Sequence, residues 1–310
     1  MSDLLNFDIG QPVNVAIDWL KSHLGPLFDA VSAVMVELIN AVLFVLTAPH
    51  AMVVTAVFTV LAFLARRWGF AVFTLIAFLL IQQMQLWTQA MQTLAVVIVA
   101  SVIAVLIGVP VGIWAARNAT VSNVVRPILD FMQTLPVFVY LIPSVFLFGI
   151  GVVPGVMATT VFAIPPAVRL TELGIRQVDK EVVEAALAFG TKPRQLLRDV
   201  QMPLAMPSIM AGVNQVIMLA LSMVVIAGMV GAGGLGAVVV QGISTLDVGV
   251  GFKGGLAVVF LAIFLDRVTN SLATARRPAG SWLPWRPRKG PQTRPSEAGA
   301  QRAPLGAVSS

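Results

Sequence analysis

The chain contains a series of apolar runs, several of which reach the roughly 20 residues that a helix needs to cross a bilayer. Of its 310 residues, 58% are hydrophobic and 11% are charged, whereas about 25% are charged in a soluble domain. The bilayer offers the backbone no hydrogen-bond partners, and the runs lack period-2 alternation, so they predict helices rather than barrel strands. The sequence therefore predicts an all-α polytopic membrane protein.

Seven spans are predicted, at about 51–65, 69–86, 91–115, 129–150, 154–170, 205–230 and 254–274. The run at 27–47 is also apolar, but it carries Asp29, Glu37 and Asn40, which are costly at the centre of a bilayer. We expect an interfacial amphipathic helix there, and an eighth span is the alternative. The expected organisation is an extracytoplasmic or interfacial segment at 1–50, a transmembrane domain at 51–274 and a disordered basic tail at 275–310.

Basic residues cluster in four places that fall on one side of the membrane when the spans alternate. They are the turn after the first span, the connection after the third, the loop after the fifth, and the tail. The positive-inside rule makes this side cytoplasmic, with the N-terminus periplasmic and the C-terminus cytoplasmic. From Arg276 onward there are seven basic residues and one acidic residue, which accounts for the whole net charge of +6. The basicity belongs to the tail, and no nucleic-acid partner is expected.

The residue types that several chemistries require are missing or scattered. The chain has no cysteine, which excludes disulfides and thiol chemistry. His23 and His50 are far apart, so no metal site is expected. The nucleotide-binding pattern G-x-x-x-x-G-K-[ST] is absent, and GAGGLG at 231–236 follows a membrane span rather than a strand, which predicts a tight turn. No catalytic residue, metal or cofactor is therefore expected in this chain.

One compact charged segment, EAALAFGTKPRQLLRDVQMP at 184–203, interrupts the apolar runs. Asp179 is the expected N-cap of a helix that leads into this segment. Gly190 is expected to end that helix in the left-handed conformation. Thr191 predicts the cap of a second helix that ends before Pro203. Two short helices that meet at a glycine corner favour a docking surface; the alternative is a solvated loop whose charges only set topology.

The spacing within this segment resembles the EAA motif of ABC importer permeases. That motif reads E-A-A, three residues, G, nine residues, an aliphatic residue, any residue, a hydrophobic residue and P. The matching positions here are Glu184, Ala185, Ala186, Gly190, Val200, Met202 and Pro203, with Met202 where the motif prefers Leu. Further stretches, among them MQTLPVFVYLIP at 132–143 and FAIPPAVRLTELGIRQV at 162–178, resemble the glycine betaine/proline/choline importers of the ProW type. This resemblance covers about residues 50–274.

The resemblance implies the type I permease core of an ABC importer, with a cytoplasmic coupling loop at 171–204. It implies a homodimer in the bacterial inner membrane that binds an ATP-binding ABC subunit, which holds the ATP and Mg, and that receives solute from an extracytoplasmic substrate-binding protein. Glu184 would anchor the ATPase through charge-assisted hydrogen bonds, and Gly190 would shape the corner. The chain itself would be a transport subunit for glycine betaine, proline betaine, proline or choline, without an ATP site of its own.

The solute pathway is predicted from a few residues within the spans. Phe138 and Tyr140 would offer aromatic faces to a quaternary ammonium group. Asn214, Met218 and Met223 would line the pathway or the dimer interface, and ordinary packing is the alternative for all five. Other functions that stay open are an ABC importer permease for another small solute such as an amino acid, an ATP-independent secondary carrier, and a scaffold that does not transport.

Overall fold

The computed structural model of the protein describes residues 10–66 and 68–275. Within these ranges the chain is helical with short connections and no strand, so the predicted all-α membrane fold is confirmed. Five described helices are long and apolar enough to cross a membrane, or six if one bent pair counts as a single span. The predicted disordered tail, from 276 onward, lies outside the described residues.

The helices are numbered in chain order. They are α1 (Gly10–Thr47), α2 (Ala51–Arg66), α3 (Trp68–Gln83), α4 (Trp87–Arg117), α5 (Ala119–Thr134), α6 (Phe138–Phe148), α7 (Val152–Arg176), α8 (Lys180–Ala188), α9 (Pro193–Gln195), a π-helical segment (Leu196–Gln201), α10 (Met202–Ser222), α11 (Val224–Met229), α12 (Gly234–Ser244) and α13 (Val248–Ala275). The predicted loop at 171–204 thus begins later in the structure, because α7 continues to Arg176.

Helix α1 covers most of the predicted N-terminal segment as one helix of 38 residues that includes Pro26. Its part Ile17–Thr47 is long and apolar enough to cross a membrane, which fits the alternative of an eighth span. Asp29 and Glu37 are exposed on this helix, which favours an interfacial position instead.

Helices α2 and α3 form a short hairpin, in which each helix has 16 residues. At 1.5 Å per residue each is about 24 Å long, less than the roughly 30 Å of the hydrocarbon core. The rings of Phe58 and Phe78 lie 5.0 Å apart, and Gln82 Nε2 donates to Thr55 Oγ1 at 2.7 Å. Two helices that both cross the membrane, or that both turn back within it, return the chain to the side from which it came. The side on which each later helix begins therefore does not depend on whether α2 and α3 cross completely.

The centre of the bundle consists of α4, α7 and α10, which approach closely because glycines lie at their contacts. A Cβ atom placed on Gly108 of α4 would lie 2.5 Å from Cβ of Ala167 in α7, and one on Gly174 of α7 would lie 2.7 Å from Cβ of Ser208 in α10. Helices in lipid associate largely through such close van der Waals contact. These glycines therefore allow the three helices to form the scaffold of the fold.

One run that the sequence predicts as a single span is broken in the structure. Helices α5 and α6 meet at 95°, since Pro136 cannot donate a backbone hydrogen bond and favours extended backbone at Leu135, whose φ is −67° and ψ is 134°. The predicted span at 129–150 is thus two helices. The run at 205–230 lies in α10 and α11, which meet at Met223, and it belongs to one stretch, Pro193–Met229, that is long and apolar enough to cross a membrane.

The glycine-rich connection between α11 and α12 forms the tight turn that the sequence predicts. Gly231, Gly233 and Gly234 have positive φ angles of 85°, 73° and 66°, a region that glycine enters without steric cost. The Leu235 N–H donates to Thr93 Oγ1 of α4 at 2.8 Å. The turn is therefore fastened to the first turns of α4.

Candidate functional site

The candidate site is the corner between α8 and α9, and its first half forms as predicted. Asp179 Oδ1 accepts a hydrogen bond of 2.9 Å from the N–H of Glu181, which caps α8. At the other end, Gly190 has φ +81°. Its N–H donates to Leu187 O at 2.9 Å, and the N–H of the next residue donates to Ala186 O at 3.1 Å. These two bonds are a Schellman motif, which ends a helix with a left-handed residue.

The second half of the corner differs from the prediction. The N-cap of α9 is Lys192 rather than Thr191, and the Lys192 N–H donates to Gln195 Oε1 at 3.4 Å. The helix does not end before Pro203 but continues through the π-helical segment into α10, where the Met202 N–H donates to Leu197 O, five residues back. A proline has no N–H and its ring crowds a regular α turn, and a π-helical turn is one way a helix accommodates such a break.

The surface of the corner is apolar at its tip and basic on one side. Phe189, directly before Gly190, is 91% exposed, and Leu187 is 48% exposed. The basic side chains Lys192, Arg194 and Arg198 are exposed beside them. Exposed aromatic residues with a charged rim are typical of a protein interaction site. Sequence reasoning missed Phe189 as a site residue, although its position between the alanines and the left-handed glycine was a usable signal.

Glu184 lies beside a cleft of about 360 Å³ between α8 and the ends of α4 and α7. Three cationic side chains also line this cleft: Arg117, Arg176 and Lys180. Glu184 is exposed, and the described residues give it no ion-pair partner. Its carboxylate is therefore available to a partner molecule.

An apolar cluster, here called the root cluster, joins the corner to the bundle. It buries Ile175 and Val178 at the end of α7 together with Ala205 and Ile209 of α10. Val183 of α8, Leu197 of the π-helical segment and Met202 pack against it. Of the other EAA positions, Ala185 and Pro203 are exposed and Ala186 and Val200 are half-buried. The motif therefore combines a projecting corner with an apolar base.

Two of the predicted pathway residues, Tyr140 and Met223, belong to one apolar cluster. Met223, at the break between α10 and α11, is fully buried. The Tyr140 hydroxyl donates to the Met132 carbonyl across the bend between α5 and α6, and its ring contacts Phe162 edge-on with centroids 6.3 Å apart. The bend between α5 and α6 and the junction of α10 with α11 thus pack into the same cluster.

The other three pathway candidates lie apart from this cluster. Phe138 is 49% exposed on α6 and Met218 is 37% exposed on α10. Asn214 Nδ2 donates to Asp266 Oδ1 of α13 at 3.0 Å, a contact that sequence reasoning missed. No group of three or more His, Asp or Glu among the described residues is arranged to hold a metal ion.

The described residues thus form a membrane protein, a bundle of apolar helices with one projecting helix–glycine–helix corner. The chain belongs to the family described as "Binding-protein-dependent transport system inner membrane component", whose sequence model matches residues 108–278. It is therefore a multi-pass transport component of the inner membrane rather than an enzyme, and the predicted family is confirmed.

The chain is similar to several proteins of this family over most of its length. It is 48% identical over 269 residues to the glycine betaine/proline betaine transport system permease protein ProW of Escherichia coli (strain K12). The aligned region covers 87% of this chain and 76% of that protein. It is 44% identical over 281 residues to the glycine betaine transport system permease protein OpuAB of Bacillus subtilis (strain 168), covering 91% and 100%.

The fold is similar to that of a solved transporter. An inward-facing structure of the MetNI methionine ABC transporter superposes with a TM-score of 0.56 at 23% sequence identity, over 63% of this chain and 97% of that one. This similarity confirms the predicted type I permease fold.

Proposed function

We propose that this chain is the permease subunit of an ATP-driven importer for compatible solutes of the quaternary-ammonium class, such as glycine betaine, proline betaine or choline, with proline as a further candidate. The solute class is supported by the similarity to ProW and OpuAB, two permeases for glycine betaine, of which the first also transports proline betaine. The observation that carries the mechanism is the rigid corner at Gly190, with φ +81°, which presents the 91% exposed Phe189.

The corner is proposed to dock on a separate ATPase subunit that binds the ATP and Mg²⁺. Phe189 would enter an apolar groove of that subunit, and Glu184 would accept charge-assisted hydrogen bonds from it. When the ATPase pair closes on ATP, α8 would move, and the root cluster would pass this movement to α7 and α10 by direct packing. Near-rigid movement of packed helices is a common way to alternate access across a membrane.

The remaining partners and the sidedness follow from the same proposal. A second copy of this chain would complete the solute path, and a substrate-binding protein would deliver solute from the periplasmic side. The corner would be cytoplasmic, because the basic residues Lys192, Arg194 and Arg198 lie beside it. The C-terminus would then be cytoplasmic and the N-terminus periplasmic if α1 lies at the interface.

Docking at the corner is tested by co-purification with the cognate ATPase. We expect the wild-type chain to capture the ATPase in detergent and Phe189→Asp to lower the captured amount by about tenfold or more, as for a buried aromatic anchor of an interface. Leu246→Asp is the matched control, since Leu246 is 89% exposed at the turn between α12 and α13. Failure of the wild-type chain to capture the ATPase, or equal capture by both variants, would contradict the proposed docking.

The quaternary-ammonium pathway is tested by removing the aromatic face of Tyr140 while keeping an apolar side chain. We expect Tyr140→Leu to lower the rate of glycine betaine uptake into proteoliposomes that contain the complete importer by about 2- to 30-fold, the range of a cation–π contact. Tyr140→Phe should keep most of the rate. Phe146→Leu on the same helix is the control, because Phe146 is 59% exposed on α6. Equal uptake rates for the Tyr140→Leu and Phe146→Leu variants would show that Tyr140 is not part of the solute pathway.

A further inference from the structure

A cluster of polar and charged side chains joins α5 to the end of α7 nearest the corner. Glu172 of α7 is only 4% exposed. Its Oε1 accepts hydrogen bonds from Ser122 Oγ at 2.7 Å and from an Arg126 guanidinium nitrogen at 2.9 Å, both on α5. Arg176 Nε lies 3.1 Å from the same oxygen. A buried carboxylate is stable only when it is paired in this way.

A second ion pair lies one turn farther from the corner. Arg169 of α7 donates to Asp130 of α5, so oppositely charged side chains face each other at two successive turns of the two helices. Arg176 also donates to Ala115 O in the last turn of α4 at 2.9 Å. We call this set the α5–α7 clamp; its members are Ser122, Arg126, Asp130, Arg169, Glu172 and Arg176.

The clamp attaches α5 to the bundle along a helix that has few buried side chains. Of the side chains of α5, only Ser122 and Leu129 are buried, while Val124, Ile128 and Phe131 are 58%, 53% and 65% exposed. Apolar packing therefore holds α5 weakly. Six polar side chains are concentrated at this one contact in a chain that is only 11% charged.

The clamp lies between the corner and the bend in the broken helix pair. On one side, Ile175 of α7 and Val178 just after it, both close to Glu172 in the chain, belong to the root cluster on which α8 packs. On the other side, α5 leads into its 95° bend with α6, where Tyr140 is bonded to the Met132 carbonyl. An unbroken series of contacts thus connects the corner to the bend.

We propose that the α5–α7 clamp makes α5 follow α7 when the corner moves, with Glu172 as the positioning residue that passes this movement to the bend. The inference rests on the proposed function, because the movement is that driven by a docked ATPase. Glu172 contacts neither solute nor nucleotide in this scheme; it acts through Arg126 and Ser122.

The mechanical part is tested on the chain alone in lipid nanodiscs. The sequence has no cysteine, so Val124→Cys on α5 and Val182→Cys on α8 provide two spin-label sites in each copy. An excess of unlabelled chain keeps the labels of the proposed second copy out of the measurement. We expect one narrow distance distribution between the labels, lost in Glu172→Gln, which keeps the size of the side chain but not its charge, and retained in Glu172→Asp. Glu37→Gln is the matched control, because Glu37 is an exposed carboxylate on α1. If Glu172→Gln does not accumulate, Asp130→Asn at the more exposed pair should broaden the same distribution.

The functional part is tested on the complete importer. We expect Glu172→Gln to lower the solute transported per ATP hydrolysed by at least about fivefold, while the ATPase is still captured at the wild-type level; Glu37→Gln should change neither. A wild-type chain that captures no ATPase would contradict the proposed function. The label distances would still show whether Glu172 holds α5 in place relative to α8. Unchanged label distances in Glu172→Gln together with an unchanged transport ratio would overturn the clamp.

Discussion

Replacement of Glu184 by Ala and Gly190 by Leu in the same chain is expected to abolish substrate-stimulated ATP hydrolysis by the assembled importer, while the chain still inserts into the membrane. Gly190 has φ +81°, and a side chain there meets no atom within 4 Å. The constraint is therefore conformational: leucine disfavours left-handed backbone by about 1–2 kcal/mol. The corner would open, Phe189 would change direction, and the loss of the Glu184 carboxylate would remove an anchor for the ATPase.

The measurement is ATP hydrolysis stimulated by the solute-loaded binding protein, together with solute uptake into proteoliposomes. The control carries the same two changes elsewhere, Glu37→Ala with Gly69→Leu. Gly69 also has no atom within 4 Å of an added Cβ and has no positive φ. The control should hydrolyse ATP and transport as the wild type does. Normal coupled transport by the Glu184→Ala, Gly190→Leu variant would refute the role of the corner.

Gly236→Ala is expected to destabilise the fold strongly, although it adds a single methyl group. The added Cβ would lie 2.0 Å from the carbonyl oxygen of Val224 in α11, and a Cβ on the facing Gly228 would lie 2.4 Å from the carbonyl carbon of Gly236. Both contacts are with backbone, so no side chain can move aside. Overpacking that forces backbone to shift costs about 3 kcal/mol or more, and α11 would separate from α12.

Thermal unfolding in detergent, followed by size-exclusion chromatography, measures this effect. Gly255→Ala is the matched control, since an added Cβ at Gly255 in α13 has no atom within 4 Å. Alanine in a helix is favoured over glycine by about 1 kcal/mol, so this control should unfold at the wild-type temperature or slightly above it. Equal unfolding temperatures for the two variants would show that α11 and α12 do not pack as described.

The corner could be predicted closely because its interactions are local. The side chain of Asp179 caps the helix two residues away, and the left-handed Gly190 is closed by bonds to residues three to five positions back. Two assignments in the corner were wrong: the cap is Lys192 instead of Thr191, and the helix continues past Pro203 through a π-helical segment. The position of Phe189 directly before the left-handed glycine was a usable signal, but its exposure became visible only in the structure.

The bend between α5 and α6 could be foreseen only in part. Pro136 predicts a disturbance, but proline in lipid produces anything from a slight kink to a complete break, depending on which neighbours satisfy the freed backbone groups. Here the Tyr140 hydroxyl bonds to the Met132 carbonyl across the bend. This contact depends on how α6 packs on α7, which the run of apolar residues does not specify.

The helical class and the helix–glycine–helix corner follow from the amino-acid sequence alone, because the length of an apolar run, capping and the backbone freedom of glycine are properties of one continuous segment. The family is indicated by a motif within such a segment. The burial of Glu172 among Ser122, Arg126 and Arg176 does not follow from the sequence, since Arg126 and Glu172 lie 46 residues apart and by composition Glu172 resembles any charge at the end of a span. Gly228 and Gly236 are close in the chain, but their importance arises from the distance between α11 and α12. Contacts between helices depend on how the segments pack, and they become visible only when the helices are assembled.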